Sequence, residues 1–302
     1  MLTAKQVEIH RHGIGGSEGA AIMGLHPFMS PLDVYLKKTG QKPEGAGNRF
    51  TKWGNKLEAV VAEAYGEESG CRIIEPTDDE ARALVPNLGP HGEIVDPDRP
   101  YLIGFPDRII LDEKRGAGIL ECKTTAGWKR GDWAEDIPLH HQVQHQHYLY
   151  LSGLTWGAVA VLIGGNEPKW LDAERSEQFL VAYVPALERF WNEHVVPRIP
   201  PPIDPSKDAQ NVAALYAVAQ EGVVDLPDDL LAVANEFEEV KAQLSELEKR
   251  KKELDTKLKA GIGANEAGRF SVGWGYTWKN QHREESIIPA CDFRVLRKAK
   301  KL

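Results

Sequence analysis

The residues from Gly104 to Thr125, GFPDRIILDEKRGAGILECKTT, leave this chain few choices of local fold. Arg108 to Leu111 reads as a strand, the charged and glycine-bearing segment 112–118 as a turn, and Ile119 to Lys123 as a second strand, which predicts a β-hairpin. Side chains alternate along a strand, so Glu121 and Lys123 share one face of the second strand, while Asp107 stands just before the first. The hairpin therefore gathers two carboxylates and one ammonium. Carboxylate oxygens are hard ligands suited to Mg²⁺, and a lysine beside them can orient a nucleophile, so the set suits phosphodiester hydrolysis. A Glu-x-Lys pair also occurs as a solvated surface pair, and these three residues alone leave both readings open.

Pro106-Asp107, followed fourteen residues on by Glu121-Cys122-Lys123, resembles the PD-(D/E)xK nuclease core. Three further segments, RHGIGGSEGAAIMG (11–24), WGNKLEAVVAEAY (53–65) and HHQVQHQHYLYLSG (140–153), occur in the order seen in one branch of that superfamily. Together they resemble the phage-type exonuclease family that includes lambda exonuclease and the YqaJ-like viral recombinases, over about residues 8–165. The resemblance implies an α/β fold, a restriction-endonuclease-like core with a mixed central sheet flanked by helices. It also implies roles. Asp107 and Glu121, with the Cys122 backbone carbonyl, hold Mg²⁺ or Mn²⁺, and Glu58 completes the acidic set directly or through water. Lys123 positions and helps deprotonate the attacking water, Gln142 orients the lysine or the scissile region, and Gln144 is next in the QVQ pattern. Arg11 and Ser17 hold a terminal 5′-phosphate, with Arg11 one residue nearer to Ser17 than in lambda exonuclease.

Composition bounds the rest. With 302 residues and 42% hydrophobic content, one substantial core and a small accessory unit are expected. No apolar run approaches the roughly 20 residues that span a bilayer, and the N-terminus has no signal-peptide apolar region. A soluble cytoplasmic protein with no membrane partner is expected. Cys71, Cys122 and Cys291 lie far apart without a CxxC, which argues against a zinc site, a disulfide framework or a four-cysteine iron-sulfur centre. The net charge of −8 is uneven: Leu247–Leu302 carries 14 Lys and Arg against 7 Asp and Glu, so its +7 leaves −15 for residues 1–246. Phosphate contacts need local rather than global positive charge, so the acidic whole does not exclude DNA.

In chain order, a glycine-rich turn at 13–16 leads into a helix with Ser17 as the expected N-cap, a seat for a phosphate or a plain cap. Helices are expected at about 30–39 and 50–65, the latter placing Glu58 beside its apolar stripe. Candidate strands lie at 71–75 and 101–103, and Asp78-Asp79-Glu80 reads as solvated. After the hairpin, Trp128, Lys129 and Arg130 are the candidate DNA-facing groups. Pro138 starts a helix ending at Gly153, in which Gln142 and Gln146 lie one turn apart. His141 and His145 are spaced i, i+4, but without the glutamate of HExxH zinc is not the expected ligand. Trp156–Gly164 reads as a buried strand and 176–196 as a helix.

The nuclease domain is expected over 1–196, a proline-rich linker over 197–205, and a C-terminal unit over 206–302. In that unit Leu230, Val233, Phe237, Val240, Leu244, Leu247, Lys251, Leu254 and Leu258 form a heptad seam. It suits a coiled coil between subunits or a helical hairpin with 208–221, and the short connector with Pro227 favours the hairpin. The segment 269–279 reads as a small β element with aromatics, followed by the basic tail 294–302. Stacking on bases and a small aromatic core are both open for it.

The resemblance implies a 5′–3′ exonuclease acting on double-stranded DNA ends in a bacterial host cell, encoded by a phage or prophage. It implies a single-strand annealing protein as partner and a homo-oligomer, with ring-shaped trimers among the forms the family takes. The competing readings are a structure- or site-selective endonuclease on the same core, and a non-catalytic DNA-end or annealing-protein adaptor.

Overall fold

In the computed structural model, which describes residues 3–43, 47, 49–218 and 221–282, four helices come first: α1 (Ala4–Arg11), α2 (Gly16–Ile22), α3 (Pro31–Lys38) and α4 (Arg49–Ser69). Their starts follow from local chemistry. Thr3 and Gln6 form a reciprocal capping box on α1, and Ser30 and Asp33 form another on α3, where Pro31 occupies the first turn. The expected N-cap Ser17 is instead the second residue of α2. Gly15 is the cap, because the Glu18 carboxylate turns back to accept its amide at 2.9 Å.

β1 (Arg72–Ile74), α5 (Asp79–Leu84), β2 (Ile94–Val95) and β3 (Ile103–Gly104) lead into the hairpin of β4 (Arg108–Asp112) and β5 (Gly116–Thr125). The turn is tighter than 112–118. Asp112 Oδ1 accepts the amides of Lys114 and Arg115, both at 2.8 Å, and Gly116 takes a positive φ of 75°. Asp79 and Glu80 open α5 and pair with Arg82 and Arg72.

α6 (Leu139–Ser152) then carries the chain across to β6 (Trp156–Ile163), which pairs parallel to β5. Parallel neighbours need such a crossover. β7 (Glu167–Glu174) turns back antiparallel, giving a mixed sheet of order β1-β4-β5-β6-β7. α4 covers one face through Val61, Ala62 and Tyr65 against Ile110, Leu120 and Ala158. The other face joins Ile109 and Ile119 to α2, α6 and α7 (Glu177–Phe190). This is the mixed α/β core that the resemblance implies.

The chain divides into compact units at Met1–Leu215 and Tyr216–Leu302, later than the proline-rich stretch 197–205. Residues beyond that stretch remain tied to the first unit. Buried Asp208 accepts the Ser30 hydroxyl and the Asn211 amide, and α8 (Ala209–Leu215) follows. The second unit is built on α9 (Asp229–Ile262), with a small hairpin of β8 (Ala267–Arg269) and β9 (Gly275–Thr277). α8 lies in the first unit and the heptad helix α9 in the second. The seam side chains Phe237, Leu244 and Leu247 are 45%, 58% and 67% exposed. The basic tail 294–302, Cys291, Gly45, Ala46 and Asn48 lie outside the described residues.

Candidate active site

Strand alternation decides which side of the hairpin carries chemistry. Leu120 and Cys122 point into the α4 layer, which leaves Glu121 and Lys123 on the face toward α6. Glu121 is buried, and Lys123 Nζ lies 2.5 Å from its Oε1. Asp107 stands at the mouth of β4, and its Oδ2 accepts the Cys122 amide at 2.7 Å. One hydrogen bond thus locks the leading carboxylate to the strand that carries the other two groups. A cleft lined by Asn55, Glu58, Glu75, Phe105, Asp107 and Arg108 opens beside it.

The glutamine at this site is Gln144, not Gln142. Gln144 Nε2 donates to Glu121 Oε1 at 2.6 Å and its Oε1 accepts from Lys123 Nζ at 3.1 Å, closing a triangle, while Tyr148 OH lies 3.1 Å from Nε2. Gln142 Nε2 instead donates to the Ile137 carbonyl at 2.6 Å, and Gln146 donates to Glu174 O and accepts from Ser176 N. The pair one turn apart, 142 and 146, braces the ends of neighbouring segments, whereas 144 and 148 face the hairpin. An i, i+4 Gln-Tyr pair on the opposite side of α6 was the available signal.

Burial, then the charge of Glu121, raises the Asp107 carboxyl well above its ordinary range, and burial also raises Glu121. Burial opposes the charge on Lys123, but Glu121 and Asp107 outweigh it and keep the ammonium protonated above its usual range. The site therefore holds more negative charge than one lysine relieves. Glu121 Oε2 is buried with no hydrogen-bond partner among the described residues. Two crowded carboxylates with an orphaned buried oxygen fit a hard divalent cation. Among the described residues no three His, Cys, Asp or Glu side chains converge as a metal cluster. Glu58, expected as the third acidic group, turns to Arg108 at 2.8 Å, and Arg108 also reaches Glu75 at 3.0 Å.

The glycine turn of the N-terminal motif lies against this machinery. Ile14 exchanges main-chain hydrogen bonds with Tyr101 and Ile103, which pins the turn beside β3. A Cβ on Gly16 would sit 2.9 Å from Gln144 Cγ, so the absence of a side chain lets the turn reach α6. Ser17 and Arg11 are exposed, and neither side chain makes a hydrogen bond or ion pair among the described residues. His10, rather than Arg11, turns toward Glu18, at 3.6 Å, and Lys38 Nζ holds the same carboxylate at 2.7 Å.

Of the three candidate DNA-facing groups, Arg130 is paired with Glu167. Trp128 is 82% exposed, and the Lys129 ammonium lies 5.4 Å from its ring centroid and 5.6 Å from that of exposed Phe28. Two of the four histidines of α6 are interior groups, while His140 and His141 are partly exposed. His145 and His147 are fully buried, and His147 bridges Tyr183 OH and Ile103 O at 2.9 and 2.8 Å.

Comparison with known proteins places this geometry. The family described as the YqaJ-like viral recombinase domain matches residues 5–155. The protein YqaJ of Bacillus subtilis (strain 168) is 31% identical over 275 residues, covering 89% of this chain and 81% of that protein. Among solved structures, LHK-Exo in complex with dAMP superposes with a TM-score of 0.50 at 16% identity, covering 63% of this chain and 92% of that one. The alkaline exonuclease LHK-Exo from Laribacter hongkongensis gives a TM-score of 0.49 at 15% identity over the same shares. At such identity the first of these likenesses establishes the fold. No helix among the described residues is long and apolar enough to cross a membrane.

Proposed function

The chain belongs to the YqaJ-like viral recombinase family, and from that premise we propose that it is a metal-dependent 5′–3′ exonuclease. It degrades one strand of linear double-stranded DNA to mononucleotides and leaves a 3′ single-stranded overhang for phage-type recombination. The observation that carries this reading is the part-buried triangle of Glu121, Lys123 and Gln144 beside Asp107, charged groups that a purely structural core does not need. LHK-Exo, whose fold this chain shares, is described in complex with dAMP, a deoxynucleoside monophosphate of the kind this reading releases.

Asp107, Glu121 and the Cys122 carbonyl would hold Mg²⁺ or Mn²⁺, with Glu58 acting from behind Arg108 through water. Bound there, the cation would neutralise charge developing on the scissile phosphate. Lys123 orients the attacking water. Its own proton is held by the two carboxylates; a cation offsetting their charge would let that proton pass to solvent, and the neutral amine would then take a proton from the attacking water. The water oxygen bonds to phosphorus as the bond to the 3′ oxygen breaks in line. Gln144 keeps Glu121 and Lys123 in register, and Ser17 with Arg11 holds the 5′-phosphate so that cutting begins at an end. The partners in this scheme are duplex ends and a single-strand annealing protein, in the cytoplasm of a bacterial host, with the enzyme acting as a homo-oligomer.

The deciding experiment digests a linear duplex carrying one labelled, 5′-phosphorylated end beside a covalently closed circle, with Mg²⁺ and with EDTA. Mononucleotide release from the linear duplex alone, abolished by EDTA, is expected. Cutting of the circle would replace this reading with an endonuclease, and binding without cutting would replace it with an adaptor. The two glutamines give a sharper local check. Gln144→Ala should lower the rate about 10–100-fold, as loss of a group that orients metal ligands does. Gln142→Ala should leave the rate near wild type and cost about 1 kcal/mol of stability through its lost helix-start hydrogen bond.

A further inference from the structure

The seam of α9 is apolar, heptad-spaced and uncovered among the described residues, with Leu230, Val233, Phe237, Val240, Leu244, Leu247 and Leu254 all exposed. A stripe of this length on a 34-residue helix, about 51 Å at 1.5 Å per residue, is too large to leave to water. What covers it is written in the charges beside it. From Asp228 to Glu248 the helix carries seven acidic residues and one lysine; from Lys249 to Ile262 it carries six basic residues and two acidic ones. The two halves are complementary to each other when one helix is reversed. We infer that α9 pairs antiparallel with α9 of a second copy of this chain, acidic half against basic half, as a two-stranded coiled coil.

The register follows from the heptads. In an antiparallel pair each a position faces a d position, so Leu244 meets Leu247 of the second copy, Phe237 meets Leu254, and Val233 meets Leu258. The same alignment brings Glu236 beside Lys257 and Lys241 beside Glu248 at the flanking positions, opposite charges in both cases. Lys251, the one polar member of the seam, faces Val240, so its stem covers apolar surface and its ammonium emerges beside the acidic half of the second copy. A parallel pair would set Lys251 against Lys251 and the acidic halves side by side. The small β8-β9 hairpin adds to the fit. Tyr276 and Trp278 line an apolar groove with Leu247, Leu254, Leu258 and Ile262, at the end of α9 where Val233 and Phe237 of the second copy arrive. The inference concerns residues 228–278 and stands apart from the nuclease reading, since a chain without activity would pair equally.

Sedimentation of the full chain tests it, with Leu244→Asp/Leu247→Asp as the seam variant. The wild type is expected at an even multiple of the chain mass, and the variant at half that mass with the helix retained by circular dichroism. Cross-linking in a Cys291→Ser background tests direction. Val240→Cys mixed with Lys251→Cys should form a disulfide-linked dimer under mild oxidation, while neither variant alone does so. A wild type that sediments as one chain at tens of micromolar overturns the inference, as does a seam variant of unchanged mass. Self-cross-linking of Lys251→Cys overturns it too, by showing a parallel pair.

Discussion

Replacing Lys123 with alanine is expected to lower the rate of linear duplex digestion by about 10²–10⁴-fold while leaving DNA binding intact. The size of the effect follows from how many functions converge on one nitrogen. Lys123 Nζ is the cation that offsets Glu121 at 2.5 Å, it meets Gln144 Oε1 at 3.1 Å, and in the proposed reaction it orients the water. Its removal leaves buried Glu121 and its neighbour Asp107 without their internal counter-charge, and Gln144 loses one of the partners that fix its amide. Arginine should not rescue the rate, because its planar fork cannot occupy the point position of an ammonium between Glu121 and Gln144. Single-turnover digestion with binding measured separately in Ca²⁺ gives the split, and circular dichroism checks the fold. Undiminished digestion would remove Lys123 from the chemistry, and loss of binding together with digestion would make its role structural.

The parts of this site that the sequence revealed are those whose geometry is local. A strand places Glu121 and Lys123 on one face by alternation alone, and the turn chemistry of Asp112 and Gly116 guarantees the hairpin that sets Asp107 beside them. α4, α6 and β6 were legible for the same reason, since each carries its own periodicity and stop signals. Where a choice depended on the phase of one element against another, the chain alone was silent. Gln142 and Gln144 sit in the same helix, and only the docking of α6 on β5 shows which faces Glu121 and which caps Ile137. Glu58 lies at the expected place on its helix, yet Arg108, a residue with no sequence signal of its own, turns it aside. β7 and α5 were missed because charged residues interrupt the apolar pattern of each, Glu167, Lys169, Asp172 and Glu174 in β7 and Asp79, Glu80 and Arg82 in α5. The heptad seam was plain, but a seam states only that something covers it, and its spacing does not say whether that is a helix of the same chain or of a second copy.

Gly157→Ala is the substitution expected to cost most in folding, although it lies away from any charged group. Gly157, the second residue of β6, pairs with Ile119 of β5, and a Cβ built there lands against the Ile119 carbonyl oxygen and 2.6 Å from His145 Nε2. The first neighbour is main chain in the middle of the sheet and cannot step aside without breaking the parallel ladder. The second is a fully buried ring, held to its neutral form by burial, which pulls its pKa down to about 4. Overpacking of this kind costs about 3 kcal/mol, and in a domain of this size that corresponds to a fall of about 6–12 °C in Tm. Gly131→Ala, with nothing within 4 Å of the added carbon, should leave Tm nearly unchanged and serves as the matched control. Because β5 carries Glu121 and Lys123 a few residues beyond Ile119, the variant should also lose activity at temperatures well below its unfolding midpoint. Thermal unfolding followed by circular dichroism, with digestion assayed in parallel, measures both, and a Tm equal to that of Gly131→Ala would show that the ladder yields where the packing says it cannot.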